Sequence, residues 1–146
     1  MRLGLDIGGT KIEAVVIDNA GEIVYRERCA TPKQRYGDFF QAVTEMIARA
    51  MQAINQPLSV GVGVPGAVDS EGLIKNSNSL MLNQQAFAQG LERALGMPVP
   101  VTNDANCFTL SEAMDGSGRG HSVVFGVILG TGCGGGLCIE NRLISG

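Results

Sequence analysis

From Leu3 to Ile7 the chain is apolar except at Gly4 and Asp6, and a second apolar run, rich in β-branched residues, spans Ile12 to Ile17. Both runs read as strands, joined by the short segment Gly8-Gly9-Thr10-Lys11. Asn19-Ala20-Gly21 marks another reversal into residues 22–29, giving an antiparallel three-stranded meander that Thr31-Pro32 closes. From Asp38, read as an N-cap, Phe39, Val43, Met46, Ile47, Ala50, Met51 and Ile54 recur at helical spacing, with Pro57 just beyond. Residues 59–64 form a strand of buried type, stopped by Pro65-Gly66. Residues 65–83 carry Pro, Gly, Asp and three asparagines and read as a long loop with a short strand at 73–75. Loops of this length are often functional.

Phe87, Leu91 and Leu95 mark a second helix that Gly96 ends, with Pro98 following. Residues 99–102 are a short strand in which Pro100 points to an edge or a strand end. Asn103-Asp104 opens a third helix, with Cys107, Leu110 and Met114 expected on its buried stripe. Residues 115–120 are linker-like, which puts a domain boundary there: 1–118 as a first domain and 119–146 as the opening strands of a second. Those strands are expected at 122–129, 137–140 and 143–145 around a glycine turn. The first domain reads βββαβαβα, a mixed sheet covered by helices and therefore α/β. The stretch "VFGVILGTGCGGGLCIENRL" echoes "LGLDIGGTKIEAVVIDNAGEIV" in its order of strand, glycine turn, strand and Asn-containing reversal. That repeat implies two similar domains, each presenting a glycine hairpin, with a cleft between them. The second is only begun where the sequence stops at Gly146.

A chain of 146 residues can bury one sizeable core, or one domain and part of another. The net charge of −3 leaves no basic footprint, so neither nucleic acid nor an anionic membrane is an expected partner. No apolar run approaches the roughly 20 residues of a membrane span, and no leader pattern precedes the first strand, so a cytoplasmic protein is expected. Four cysteines without a Cys-x-x-Cys pair, and His121 as the one histidine, argue against a zinc site within these residues. No metal ligands are assigned. Cys107 and Cys138 are expected to be reduced and buried. Glycine, at 21 residues, is about twice as frequent as usual. Its clusters fall at element ends, which suggests turns and backbone contacts to a ligand.

A tight turn accounts for Gly8 and Gly9, but it does not explain why Asp6, Thr10 and Lys11 crowd the same tip. Backbone N–H groups bared by glycine make concavities for phosphate oxygens, to which Thr10 adds a donor and Lys11 a charge. Asp6 could hold water around a magnesium ion, which takes few carboxylates and keeps several waters. The second turn, "GTGCGGG", contains a formal G-x-G-x-x-G, but a strand rather than a helix follows it, so the dinucleotide fingerprint fails on context. No Gly-Lys pair occurs, so there is no Walker A sequence. What remains is a phosphate-binding hairpin of another kind. Asp104 lies at a strand-to-helix junction, where Asn and Asp are favoured caps. The same place suits a carboxylate that accepts a hydroxyl proton during phosphoryl transfer. Asn76 and Asn78 are either turn formers or amides that donate to and accept from sugar hydroxyls.

Together "DIGGTK", "GVGVPGAVD", "KNSNS", "NDANCFTLSEA" and "GTGCGGG" resemble the ROK family of sugar kinases, in the family's order and spacing across nearly the whole chain. The resemblance implies the actin-like, hexokinase-like ATPase (ribonuclease H-like) fold. It implies that Gly8, Gly9, Thr10 and Lys11, with Asp6, hold the phosphates of MgATP from one lobe. Gly130, Thr131, Gly132, Gly134 and Gly135 would hold them from the other. Asp104 matches the catalytic base, and Gly66, Asn78, Asn103 and Asp104 match positions lining the sugar. The motifs look most like bacterial fructokinases, with N-acetylglucosamine kinases next. The expected protein is thus an ATP-dependent hexose kinase, a homodimer acting on a small sugar. The alternatives are a non-catalytic sugar-binding domain and a scaffold that binds neither ligand. A Glu-x-Gly-His element, a cysteine-rich structural zinc site and the adenosine region would lie past Gly146.

Overall fold

The computed structural model describes residues 1–129 and 133–144. It divides into two compact units, Met1–Val101 and Thr102–Gly146.

The first unit is built on β1 (Arg2–Ile7), β2 (Lys11–Ile17), β3 (Ile23–Ala30) and β4 (Ser59–Val64). β1 pairs antiparallel with β2 and parallel with β4, and β2 pairs antiparallel with β3. The opening strands alternate between buried and exposed positions. Leu3, Leu5 and Ile7, and across from them Ile12, Ala14 and Val16, all turn inwards and are fully buried. They pack with the apolar stripe of α1 (Tyr36–Ile54), where Phe39, Val43, Met46, Ile47 and Ala50 are solvent-free. Burying a side chain of this size stabilises by about 1.5–3 kcal/mol. Met51 and Ile54 reach the core only in part.

α1 starts three residues earlier than expected. Arg35 stands at its N-cap without a side-chain cap, and Asp38 lies in the first turn, bound by the Arg35 guanidinium at 2.9 Å through both nitrogens. The helix ends at Asn55 in the left-handed conformation, where an N–H bond to the Met51 carbonyl closes the last turn. A second tie runs from α1 to β3: Arg49 donates to Glu27 at 2.7 Å, and the Tyr25 hydroxyl donates to the same carboxylate at 2.6 Å. The Arg49 bond, reinforced by Tyr25, holds the Glu27 carboxyl below its ordinary range against the opposing effect of burial. A carboxyl lowered in the folded state stabilises fully above its unfolded value, and that stability is lost as pH falls through the folded value. Arg49→Ala is expected to remove about 0.5 kcal/mol at neutral pH and to shrink the difference from the parent below pH 4 or so, read by urea denaturation at several pH values.

The long segment after β4 holds more structure than its turn residues suggested. β5 (Ala67–Val68) and β6 (Ile74–Lys75) form a two-stranded hairpin, and Leu80–Leu82 make one 3-10 turn. α2 (Phe87–Leu95) follows, ends at Gly96 in the left-handed conformation as expected, and buries Phe87 and Leu91. β7 (Val101–Asn103) completes a five-stranded sheet in the order β3-β2-β1-β4-β7 and carries the chain into the second unit.

The second unit consists of α3 (Asp104–Met114) and a three-stranded antiparallel sheet, β10-β9-β8, formed by β8 (Val123–Leu129), β9 (Cys133–Ile139) and β10 (Arg142–Ile144). Two expectations are corrected here. The buried face of α3 is Ala105, Thr109 and Ala113, while Cys107 and Met114 are exposed and Leu110 is half-buried. Gly134, Gly135 and Gly136 belong to β9, paired with Ile128, Val127 and Gly126, rather than to the turn. Both have one cause. A Cβ at Gly126 or Gly136 would run into the Thr109 hydroxyl, and one at Gly134 would lie 3.1 Å from the Ala105 methyl. The hairpin is stripped of side chains on this face so that a helix with small residues can lie directly on it. The opposite face keeps large apolar groups exposed: Val123, Phe125, Val127, Leu129, Ile139 and Ile144. The Phe125 ring reaches diagonally over Gly135, covering backbone that the glycine leaves bare. Cys138 is buried, as expected.

Candidate active site

In the first unit the β1–β2 tip carries Asp6, Gly8, Gly9, Thr10 and Lys11. The Gly8 N–H donates to the Lys11 carbonyl at 2.9 Å and closes the turn just after the Ile7–Ile12 pair. Thr31, buried at the end of β3, holds the tip from the side. Its hydroxyl donates to the Gly8 carbonyl at 2.7 Å and its N–H to the Thr10 carbonyl at 3.0 Å. Gly9, Thr10 and Lys11 are exposed, and Lys11 makes no ion pair with any described residue.

Neither Gly8 nor Gly9 adopts a positive φ. A Cβ on Gly8 would approach the Lys11 carbonyl oxygen at 3.1 Å, so turn packing explains that glycine. Gly9 is different. A Cβ there would have only the Ser79 Oγ near it, at 3.8 Å, an ordinary contact. Neither backbone strain nor crowding within the first unit requires glycine at position 9.

That proximity also brings the 76–83 segment beside the tip. Ser77 and Asn83 exchange two hydrogen bonds: the Ser77 N–H donates to Asn83 Oδ1 at 2.9 Å, and Asn83 Nδ2 donates to the Ser77 carbonyl at 3.0 Å. The Ser79 N–H donates to Ser77 Oγ at 3.1 Å. Asn78 is exposed between these two fixed serines, and its carboxamide bonds no described residue. Gly66 sits behind the same segment with φ +94°; a Cβ there would lie 2.5 Å from the Lys75 carbonyl and 2.9 Å from the Ser77 backbone. Gly66→Ala is therefore expected to destabilise by about 2–4 kcal/mol, read as a lower urea midpoint at unchanged slope. Thr31, Ser77, Ser79 and Asn83 escaped the sequence reading, because a threonine, two serines and an asparagine near turns carry no signal of their bonding partners.

In the second unit Asn103 caps α3. Its Oδ1 accepts from the Ala105 N–H at 3.0 Å and the Asn106 N–H at 3.3 Å. Its Nδ2 donates to Asp104 Oδ1 at 2.9 Å, and the Ala105 N–H reaches the same oxygen at 2.9 Å. Two donors thus fix one carboxylate oxygen of Asp104 and orient the other. Of the second glycine turn, Gly130, Thr131 and Gly132 lie outside the described residues. Gly134 and Gly135 are strand residues whose neighbours are Ala105 and Phe125. Among the described residues no group of three or more His, Cys, Asp or Glu side chains could hold a metal ion, and no helix is long and apolar enough to cross a membrane.

Residues 2–146 match the ROK family model. The chain is 44% identical over its whole length to an N-acetylgalactosamine kinase of Shewanella sp., of which it covers 47%. It is 40% identical to an N-acetyl-D-glucosamine kinase of Haemophilus influenzae, covering 48% of that protein. Among solved structures, a ROK family glucokinase from Streptomyces griseus in complex with glucose and AMPPNP superimposes with a TM-score of 0.87 at 35% identity, over 99% of this chain and 46% of the glucokinase. An inorganic polyphosphate/ATP-glucomannokinase from Arthrobacter sp. gives 0.83 at 32%, over 99% and 60%. The α/β architecture is the actin-like, hexokinase-like ATPase fold. The chain spans about half the length of the curated relatives it matches. With its motifs spread over both units and the family model matched from Arg2 onwards, this chain belongs to the ROK family.

Proposed function

We propose that the chain supplies the phosphate- and sugar-binding groups of a cytoplasmic ATP-dependent hexosamine kinase, with N-acetylglucosamine as the first candidate substrate. The observation that carries this reading is Gly9, a glycine that neither strain nor crowding within its unit demands, at an exposed tip beside Thr10 and Lys11. A close-approaching phosphate explains it, since bare backbone N–H groups cradle anions. Gly8–Lys11 would hold the nucleotide phosphates, and Asp6 would hold the water shell of the magnesium ion that neutralises their charge. Gly66, Asn78 and Asn103 are the sugar-lining groups. Asp104, one oxygen fixed by Asn103 and Ala105, offers the other to the sugar hydroxyl. The hydroxyl proton passes to the carboxylate as the oxygen bonds to the γ-phosphorus, and the bond to the departing ADP oxygen breaks.

Motif resemblance alone favoured fructose. The N-acetylgalactosamine and N-acetyl-D-glucosamine kinases among the relatives support an N-acetylhexosamine instead. The test is ADP release from MgATP with N-acetylglucosamine, N-acetylgalactosamine, glucose, mannose and fructose. Turnover that is fastest with an N-acetylhexosamine supports the reading. Fastest turnover with fructose overturns the choice of sugar, and sugar binding without turnover favours a non-catalytic sugar-binding domain.

A further inference from the structure

A cavity of about 500 Å³ opens in the first unit where the start of α1 faces α2. Its volume lies in the range of small-molecule sites. One wall is aromatic. Tyr36 and Phe40, both half-buried, have ring centroids 5.9 Å apart at 37°, and Phe40 stands edge-on to the buried Phe87 at 6.2 Å and 85°. Gly90 of α2 lies against these rings. A Cβ there would come 3.0 Å from the Phe40 ring, so the glycine lets that ring and α2 close on each other.

Three polar groups edge this space: the Tyr36 hydroxyl, the Gln85 carboxamide and the Arg93 guanidinium. None of their side chains makes a hydrogen bond or ion pair with a described residue, and among the described residues no carboxylate lines the cavity. The exposed Arg93 guanidinium thus stands beside an aromatic wall with no protein partner among the described residues. A planar fork suits a phosphate or carboxylate, and ring faces take flat apolar surfaces, including the C–H face of a sugar. We propose that this cavity binds a small ligand joining a flat ring to an anionic group, its ring against Tyr36 and Phe40 and its anion on Arg93. Gln85 and the Tyr36 hydroxyl meet the polar substituents of the ring. An aryl anion and a sugar phosphate share this chemistry.

The cavity has a route to the segment that carries Asn78. The Gln85 N–H donates to the Leu82 carbonyl, and its own carbonyl accepts from the Ile74 N–H, both at 3.1 Å. A ligand drawing on Gln85 therefore pulls on the residues flanking the Ser77–Asn83 brace. Any effect on sugar affinity rests on the kinase reading, whereas binding in the cavity does not.

Nitrogen-15-labelled protein is titrated with 4-nitrophenyl phosphate, with N-acetylglucosamine 6-phosphate and, as the ring-free control, with inorganic phosphate. The expected result is saturable shifts of the Ala86, Gly90 and Ala94 amides by at least one ring-bearing anion, with Kd on the order of 1 mM or tighter. Whichever of the two binds tighter names the source. Arg93 is exposed, so Arg93→Gln keeps the fold and is expected to weaken binding by about tenfold or more. Tyr36→Phe keeps the ring and retains most of the affinity. Absence of saturable shifts, inorganic phosphate binding as tightly as the ring-bearing anions, or an Arg93→Gln variant of parental affinity would each overturn the proposal. Asp104→Asn separates the two readings. Cavity shifts that vanish in that variant belong to the catalytic site and sink this proposal alone. Shifts that persist in that variant leave this proposal standing, and a parent chain that shows them while turning over no sugar sinks the kinase reading alone.

Discussion

Asp104→Asn is expected to lower kcat for sugar phosphorylation by about 10³-fold or more while shifting the thermal midpoint by no more than a few degrees. The carboxamide oxygen of asparagine can still accept from Asn103 Nδ2 and the Ala105 N–H, so the start of α3 keeps both bonds that now end on Asp104 Oδ1. What disappears is the anionic oxygen that would take the hydroxyl proton. A coupled ADP-release assay with N-acetylglucosamine, run beside a thermal melt, reads both quantities. Equal losses of activity and stability would reduce Asp104 to a capping residue. Retained activity would remove it from the mechanism. KM for the sugar is expected to move far less than kcat, because the proton is transferred only as the transition state forms.

Gly9→Ala is expected to weaken nucleotide binding by about 100-fold without weakening the fold. The added methyl meets nothing closer than Ser79 Oγ at 3.8 Å, and the backbone needs no positive φ. Replacing glycine where alanine fits stabilises by about 0.4–1 kcal/mol through the unfolded chain, so the melting temperature should hold or rise. A phosphate packed against the tip would instead be pushed outwards, lengthening its hydrogen bonds to the backbone amides. Titration of a fluorescent ADP analogue against parent and variant measures the effect. Unchanged affinity would make the tip a turn and nothing more. Gly66→Ala provides the contrast, since that glycine is required by its own backbone and its loss is paid in stability.

The first unit was legible where packing follows alternation and helical period. Leu3, Leu5, Ile7, Val43 and Ile47 all point where their spacing said they would. α3 was not legible, because Cys107, Leu110 and Met114 are more apolar than the Ala105, Thr109 and Ala113 that face inwards. Its partner surface selects for smallness rather than hydrophobicity, and a pattern of apolar positions is blind to that criterion. The same partnership hid β9. Glycines 134–136 resemble a loop in sequence, yet they are strand residues stripped to admit a helix. The β1–β2 tip stood out from the residues it concentrates, whereas its supports did not. Thr31 lies 23 positions from Gly8 along the chain, and Asn83 braces Ser77 across the 3-10 turn, so neither tie leaves a local signature.

The carboxamide of Asn103 divides its labour: the oxygen caps α3 while the nitrogen steadies Asp104. Helix fraying and aiming of the carboxylate are therefore one motion. Each opening of the first turn releases the acid from its alignment, so if Asp104 is the base proposed above, the lifetime of that turn would limit how long it stays competent. Amide exchange at Ala105 and Asn106 would then be a clock for the proposed chemistry, and solvents or substitutions that quicken it should slow phosphorylation without touching either substrate.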